Sequence, residues 1–231
     1  MLGVIKLIRV DNVSYSYNGT EQVLDGMNLT LSDGKLTALI GANGSGKTTL
    51  GKLMAGVLQP TSGQVLIDDK DTREMSLGEI GKRIGYLFQE PDRQIFAPTV
   101  EEELSFVLKV RGFSDNEISE LVNDMLSLFH LDHLRSSFPF YLSKGEKQRL
   151  ALASILINKP DFLILDEPTT ALDIKRKSEL LEILKKLLDN DVGMLIISHD
   201  YEFVTQYADR IIKIAGGEII SDTRTSAEQS I

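Results

Sequence analysis

The sequence contains no cysteine and no tryptophan, and it has only 3 histidines among 231 residues. Without cysteine the chain can form neither a disulfide framework nor a thiolate metal site. Its chemistry must therefore come from carboxylates, hydroxyls, amides and histidine. His130 and His133 have a spacing that could suit a metal, but nothing near them in the sequence supplies further ligands. We interpret these two histidines as the end of a helix and its loop.

An excess of positive charge is also absent. The chain has 25 Lys and Arg residues against 34 Asp and Glu residues, which gives a formal net charge of -9. This balance provides no general electrostatic reason to bind DNA or RNA, although it does not exclude a local basic patch. We expect no nucleic-acid partner. The acidic run 101–103 follows Pro98-Thr99 and is typical of the positive end of a helix.

No apolar run approaches the roughly 20 residues that a membrane-spanning helix needs, and the longest cover only 36–40 and 162–165. Residues 1–10 are interrupted by Lys6 and Arg9 and lack the apolar core and cleavage site of a signal peptide. We predict an edge strand there. Any role at a membrane is expected to be peripheral and to act through a partner.

Short runs rich in Val, Ile and Leu predict buried strands. Helical patterns lie between them, as at 115–128 and at 174–188, where leucines fall on one face. Strands that alternate with helices imply a mostly parallel sheet and an α/β fold. The predicted strands cover 36–41, 64–67, 85–88, 162–166 and 194–198.

Two regions depart from this alternation. Residues 10–17 alternate in polarity and precede the turn signal Asn18-Gly19, and 63–69 follow a breaker run. We predict that they form a small antiparallel β subdomain wrapped on the core. Residues 100–156 are almost all helical by pattern, which predicts a helical subdomain inserted into a core made of 1–99 and 157–231. The chain is expected to be a single domain.

A glycine-rich segment, Gly41-Ala42-Asn43-Gly44-Ser45-Gly46-Lys47-Thr48, follows a predicted strand and precedes a helix predicted at 49–55. This is the P-loop pattern. Its glycines let backbone N–H groups cradle phosphates, while Lys47 supplies a charge for the β and γ oxygens and Thr48 can bind Mg²⁺. The alternative is a glycine-rich turn with a solvated lysine. The residues expected to contact ATP here are Gly41, Asn43, Gly44, Ser45, Gly46, Lys47, Thr48 and Thr49.

The strand predicted at 162–166 ends in two carboxylates, Asp166 and Glu167. Open α/β sheets bind ligands at this end of their strands. Asp166 would hold the metal directly or through water, and Glu167 can accept the proton of the attacking water. The alternative is a solvated pair of loop acids before Pro168.

Ser143 and Glu146 form a capping-box pattern at the start of a helix that is predicted to run to Leu156, and this pattern needs no ligand. Together with the two preceding motifs, however, Leu142-Ser143-Lys144-Gly145-Glu146 resembles the signature of ATP-binding cassette (ABC) ATPases, usually Leu-Ser-Gly-Gly-Gln. Lys144 and Glu146 depart from that form. Both interpretations can hold, because a capped helix N-terminus is itself a phosphate site. The resemblance implies that Ser143, Gly145 and Glu146 contact ATP.

The remaining motifs of that family occur in order along nearly the whole chain. Gln89 resembles the Q-loop glutamine, which senses Mg²⁺ and the attacking water, and 170–173 resembles the D-loop. His199 resembles the switch histidine at the γ-phosphate, and Tyr17 the aromatic that stacks on adenine. Taken singly, Gln89 is typical of a surface amide, His199 of a residue that caps a strand, and Tyr17 of a half-buried strand aromatic. The resemblance implies a P-loop NTPase core with an antiparallel β subdomain and an inserted helical subdomain.

Residues 88–103 resemble the Q-loop region of energy-coupling-factor transporter ATPases, including cobalt and nickel importers, although Glu90 and Arg93 depart from its commonest form. Such ATPases form head-to-tail dimers and receive a helix of a transmembrane coupling protein in a groove. By resemblance, Gln94, Ile95 and Phe96 border that groove. The implied partners are a second ATPase subunit, identical or homologous, the coupling protein and a substrate-binding membrane protein, at the cytoplasmic face of the membrane.

The sequence therefore predicts an ATPase that uses ATP and Mg²⁺ to power transport. Two other classes stay open: an ABC-type ATPase in DNA repair or translation, and a non-hydrolysing regulatory subunit. Only 54 positions separate Gln89 from Ser143, so the long coiled coil of repair ATPases does not fit between them. Lys47, Asp166, Glu167 and His199 are all present, which favours hydrolysis.

Overall fold

The computed structural model describes residues 7–170, 172–199 and 201–225. Within this part of the chain, the strands form one four-stranded and one six-stranded sheet. The strands are β1 (Leu7–Ser16), β2 (Gln22–Ser32), β3 (Leu36–Gly41), β4 (Ser62–Ile67), β5 (Lys70–Asp71), β6 (Ile84–Leu87), β7 (Phe162–Asp166), β8 (Gly193–Ile197), β9 (Arg210–Ala215) and β10 (Glu218–Arg224).

Helices cover the sheets and fill the region between β6 and β7. Several begin at a serine, threonine or aspartate whose side chain accepts a backbone N–H of the first turn, as Thr99 does from Glu102. The α-helices are α1 (Lys47–Met54), α2 (Leu77–Gly81), α3 (Val100–Val110), α4 (Asp115–Leu128), α5 (Lys144–Leu156), α6 (Ile174–Leu188) and α7 (Tyr201–Tyr207). No helix in the described ranges is long and apolar enough to cross a membrane.

The larger sheet has the strand order β10-β9-β3-β8-β7-β6, and all its neighbouring pairs are parallel except β9 with β10. Every residue of β7 and β8 is buried, as expected for central strands with helices on both faces. The predicted α/β class with a mostly parallel sheet is confirmed. Because the strands are parallel, the carboxyl ends of β3, β7 and β8 lie at one edge of the sheet.

The antiparallel β subdomain is also confirmed, with the strand order β2-β1-β4-β5. The edge strand predicted at 1–10 is wrong for residues 7–10, because β1 lies between β2 and β4. Residues 1–6 of that prediction lie outside the described residues. Ile8 pairs with Leu31 on one side and with Ile67 on the other. The charge of Arg9 does not force an edge position, since alternate residues of a strand point to opposite faces and Arg9 reaches Asp11 on the exposed face.

Sequence patterns predicted many boundaries well but gave no bounds for β2, β5, β9 or β10. The predicted segments 36–41, 115–128, 162–166 and 174–188 coincide with the observed elements. The helix predicted from Thr49 begins earlier, at Lys47, since the left-handed Gly46 already acts as its N-cap. Strands β9 and β10 were not predicted; they form a hairpin across Gly216 and Gly217, which both have positive φ.

One apolar cluster joins the region of α3, α4 and α5 to the parallel sheet. Leu104, Val122 and Leu150 belong to it together with Leu163 of β7. Helix α5 lies so close to β6 that a Cβ atom on Gly85 would come within 2.3 Å of Ile155. Because the core is continuous, the boundaries of the helical subdomain at 100 and 156 stay a prediction.

Candidate functional site

The glycine-rich loop connects β3 to α1 and approaches its neighbours too closely for side chains at two positions. A Cβ atom on Gly41 would lie 2.3 Å from the carbonyl oxygen of Ile214. Gly46 has a φ of 100°, and a Cβ atom there would lie 2.5 Å from Leu24. Both positions therefore require glycine if the loop is to keep this path.

The N-terminus of α1 is left open by its own sequence. Its N-cap, Gly46, offers no side-chain hydrogen bond, and the first turn contains no acidic residue. The N–H groups and the positive end of the helix dipole are thus available to an anion. The Ser45 hydroxyl nearby is buried and has no hydrogen-bond partner among the described residues. This arrangement fits a phosphate group.

The Lys47 side chain folds back into the loop. Its ammonium group donates to the carbonyl oxygens of Gly41 and Ala42, each at 2.9 Å. Burial lowers the pKa of Lys47, and the carboxylates of Glu167 and Asp166 oppose that shift. The cation therefore lies inside the phosphate loop and faces two acids across the cavity.

Asp166 ends β7 and is almost completely buried. The Tyr86 hydroxyl of the neighbouring strand β6 donates to its Oδ2 at 3.4 Å. Burial raises the pKa of Asp166, whereas the nearby Thr48 hydroxyl and the Lys52 charge lower it. Burial also raises the pKa of Tyr86 well above its ordinary value. A carboxylate beside a hydroxyl is a pair of hard oxygen donors of the kind that Mg²⁺ prefers.

Glu167 follows immediately, with a φ of 54° that turns its side chain out of the strand direction. Its N–H donates to the carbonyl oxygen of Ile197 at 2.9 Å, which anchors the turn to β8. Its Oε1 lies 3.0 Å from Nε2 of His199. Burial raises the pKa of Glu167, and the His199 charge opposes the rise. A buried carboxylate of raised pKa is a competent proton acceptor.

The contact between Glu167 and His199 is close, yet it lacks the direction of a hydrogen bond. Oε1 of Glu167 has no hydrogen-bond partner among the described residues despite the 3.0 Å approach. The approach of the two side chains is an electrostatic contact, and the Glu167 carboxylate also accepts a hydrogen bond from the His199 backbone. The His199 side chain is half exposed at the cavity mouth.

These groups line a single cavity of about 660 Å³, which is within the usual range for small-molecule sites. Tyr17 stands at its rim, 60% exposed, with its hydroxyl 3.1 Å from Oγ1 of Thr49. Gly41 and Ser45 belong to the same loop but do not line the cavity. The predicted residues that line it are Tyr17, Asn43, Gly44, Gly46, Lys47, Thr48, Thr49, Gln89, Asp166, Glu167 and His199.

The predicted D-loop contributes one wall of the cavity through Thr170. Ala171 of that segment lies outside the described residues. Asp173 accepts a hydrogen bond from the Arg176 N–H at 2.8 Å and thereby caps α6. Val23 and Ile197 also line the cavity and were not predicted, because nothing in the sequence distinguishes them from other apolar strand residues.

The structure does not bring the signature residues Ser143, Gly145 and Glu146 to this cavity. They begin α5 as a complete capping box, as the sequence predicted. Oε2 of Glu146 accepts from the Ser143 N–H at 2.8 Å and from its hydroxyl at 2.7 Å. These bonds lower the pKa of Glu146, so its negative charge lies at the helix N-terminus.

The segment after Gln89 is held to α3 by a buried carboxylate. Glu103 accepts the N–H groups of Phe96 at 3.0 Å and Ala97 at 2.8 Å. Glu90 and Arg93, the two departures noted in this segment, form an exposed ion pair with each other at 2.6 Å. The two departing side chains thus contact each other at the surface.

Comparison with known proteins yields matches over nearly the whole chain. The model of the ABC transporter family matches residues 24–170. A putative ABC transporter ATP-binding protein of Caldanaerobacter subterraneus is 41% identical over 213 residues, which are 92% of this chain and 37% of that protein. The energy-coupling factor transporter ATP-binding protein EcfA of Methanothermobacter thermautotrophicus is 37% identical, with 94% and 70% covered. The chain therefore spans little more than a third of the length of the first of these relatives.

Solved structures of similar fold also belong to ABC transporters. CbiO1 of Clostridium perfringens, part of the ABC transporter complex CbiONQ, aligns with a TM-score of 0.82 and 31% identity over 95% of this chain and 89% of that one. A bacterial ABC transporter cassette solved as a dimer aligns with a TM-score of 0.86 and 29% identity, with 95% and 99% covered. The phosphate loop and the paired acids agree with these matches, which show that the chain belongs to the ABC transporter family of ATP-binding proteins, which hydrolyse ATP with Mg²⁺.

Proposed function

We propose that this chain is the ATP-hydrolysing subunit of an energy-coupling-factor type importer. The observation that carries the proposal is the placement of Glu167, a buried carboxylate 3.0 Å from His199, in the same cavity as Lys47. A regulatory subunit that only binds nucleotide has no need of a basic carboxylate at this position. The arrangement therefore favours hydrolysis over the non-hydrolysing alternative.

Each site residue has a proposed role in that reaction. The loop 41–46 and the N-terminus of α1 bind the phosphates, and Lys47 turns its ammonium group to the β and γ oxygens. Thr48, Asp166 and Gln89 would hold Mg²⁺, which would supply positive charge against the developing charge on the phosphates. Glu167 accepts the proton of the attacking water, and His199 orients the γ-phosphate. Tyr17 and Thr49 fix the nucleoside end at the cavity rim.

We further propose that two chains, identical or homologous, close on two ATP molecules. The signature residues Ser143, Gly145 and Glu146 lie away from the chain's own cavity, so they can serve a nucleotide only in a partner. The dimeric cassette of similar fold supports this arrangement. Loss of the γ-phosphate then removes a bridge between the chains, and the dimer opens; this is a ligand-driven shift between two states.

The transport role rests on the surface beside the Q-loop. Phe96 is 64% exposed and packs edge-on against the exposed Phe106, with ring centroids 4.8 Å apart. Glu103 ties the backbone of Phe96 to α3, so motion of the segment after Gln89 reaches this aromatic pair. The similarity to EcfA and CbiO1 supports a transmembrane coupling protein as the partner, with a substrate-binding membrane protein beyond it. The chain would then act peripherally at the cytoplasmic face of the membrane.

Affinity purification of the chain from native membranes tests the proposal. We expect integral membrane proteins to co-purify with it and Phe96→Ser to lose them. Leu77→Ser is the matched control, because Leu77 is equally exposed on α2 at 64%; it should retain the same partners. Recovery of ribosomes or DNA-repair proteins in place of membrane proteins would contradict the transport assignment while leaving the ATPase assignment intact.

A further inference from the structure

Tyr86 is a buried tyrosine that contacts both halves of the predicted metal site. It lies on β6, only 8% exposed, with Ile164 of β7 as its strand partner. Its ring lies against Gly51 of α1, where a Cβ atom would come within 3.3 Å of it. Its hydroxyl reaches Oδ2 of Asp166 at 3.4 Å. The ring thus touches the helix that carries Thr48, and the hydroxyl touches the carboxylate at the end of β7.

Packing alone does not explain the hydroxyl of Tyr86, since phenylalanine would fill the same space. Transfer of a hydroxyl into an apolar core is unfavourable unless it forms a hydrogen bond. Among the described residues, the Tyr86 hydroxyl donates its hydrogen bond to Asp166. The ring itself needs no polar partner, because it packs edge-on against Phe88 with centroids 4.8 Å apart. The hydroxyl therefore serves the carboxylate and not the packing.

The Asp166 carboxylate also needs an anchor. The strand β7 fixes its backbone, but the last torsion of an aspartate is broad and leaves the two oxygens free to rotate. The Thr48 hydroxyl supplies one donor to the carboxylate and the Tyr86 hydroxyl supplies a second, and together they determine where its oxygens point. Hydrogen-bond partners of this kind orient metal ligands, and their loss weakens metal binding.

We propose that Tyr86 is a positioning residue for the metal site: its hydroxyl holds Oδ2 of Asp166, so that the carboxylate stays oriented beside Thr48. The inference rests on the proposed role of Asp166 as a metal ligand. It adds a determinant of metal affinity that lies outside the phosphate loop and outside the cavity wall.

The test is Tyr86→Phe, with Mn²⁺ as the probe in the presence of saturating AMP-PNP. Mn²⁺ binding is followed by electron paramagnetic resonance, and Mg²⁺ binding by the metal concentration that gives half-maximal thermal stabilisation. We expect metal affinity to fall about 10-fold. AMP-PNP affinity without metal should stay unchanged. Tyr86→Met, which also keeps an apolar side chain and lacks the hydroxyl, should give the same shift.

Two further variants separate the outcomes. Ser105→Ala removes another buried hydroxyl, which donates to the carbonyl oxygen of Glu102 within α3, and should leave metal affinity at the parent value. Asp166→Asn should weaken metal binding more than Tyr86→Phe does. If Asp166→Asn leaves metal affinity unchanged, the proposed metal site is wrong. If Asp166→Asn weakens it and both folded Tyr86 variants match the parent, Tyr86 is only a packing residue.

Discussion

The two helices that carry the nucleotide motifs begin in opposite ways. Helix α1 has Gly46 as its N-cap, without a side-chain cap, and has no acid in its first turn. Helix α5 has Ser143 as its N-cap and is closed by the carboxylate of Glu146. Both N-termini carry the same partial positive charge. The first is compensated only when an external anion arrives, whereas the second already holds an anion of its own.

The comparison teaches that a capped N-terminus is a poor guide to function. Helices α2 and α4 are closed by the same box, with Ser76 and Glu79 in one and Ser114 and Glu117 in the other. Geometry within the chain does not distinguish α5 from them. The assignment of α5 as a phosphate site depends on the family resemblance. The phosphate site at α1 can be inferred from its own sequence, which leaves the N–H groups of its first turn without a capping side chain.

The largest effect on ATP turnover is expected at Glu167, in the cavity into which the open N-terminus of α1 points. Glu167→Gln removes the proposed proton acceptor but keeps the shape of the side chain, so ATP turnover should fall by roughly two to four orders of magnitude with ATP binding retained. Phosphate release measures turnover, and gel filtration with ATP should reveal a trapped dimer. Glu103→Gln, at another buried glutamate outside the cavity, should stay within a few-fold of the parent. Near-parental turnover of Glu167→Gln would remove it from that role.

The next largest effect tests whether the end of α1 holds phosphate. Lys47→Ala removes a charge-assisted contact, so ATP affinity should fall about 10- to 100-fold and hydrolysis with it. Nucleotide titration with a thermal-unfolding control gives the answer. Lys35→Ala, at an exposed lysine beside Asp209, should bind ATP as the parent does. Unchanged affinity of a stable Lys47→Ala chain would mean that the loop does not bind phosphate.

A smaller effect, on ATP-dependent dimerisation, is expected at the capped N-terminus of α5. Glu146→Gln keeps the capping box but removes its charge, since glutamine serves equally in that position. In chains that also carry Glu167→Gln, we expect ATP-dependent dimerisation to tighten several-fold at low salt, because a like charge no longer faces the incoming phosphate.

The matched control is Glu117→Gln on α4, the same box in a place where no phosphate is proposed. It should leave dimerisation at the parent value. Equal dimerisation constants for Glu146→Gln and Glu117→Gln would make the α5 box an ordinary cap and would erase the distinction between α5 and the other capped helices.

The smallest effect concerns Lys144, which stands where the family pattern has glycine. Its flexible stem can bring a second cation to the phosphate without blocking the backbone contact. Lys144→Gly, again with Glu167→Gln and saturating ATP, should dimerise a few-fold more weakly at low salt, and the difference should shrink as salt rises. Dimerisation as tight as the parent's, or tighter, would show that the charge of Lys144 does not help the dimer close.

Prediction from the sequence succeeded where a local pattern suffices. Strands β3 and β7 are short apolar runs, and α4 and α6 are capped by Ser114 and Asp173, so their bounds follow from composition and caps. It failed for β1, whose inner position depends on which strands pair with it. It also gave no sign of Tyr86, since a tyrosine in a buried run does not reveal what its hydroxyl will meet.

By itself, the sequence determined the phosphate loop, the acid pair and the capping box, because each depends on residues that are neighbours in the chain. Only the tertiary structure decided that Lys47, Asp166, Glu167 and His199 share one cavity while Ser143 and Glu146 lie outside it. The physical reason is the parallel sheet. Its strand order places the ends of β3, β7 and β8 side by side although long stretches of chain separate them, and that order is set by packing across the whole core.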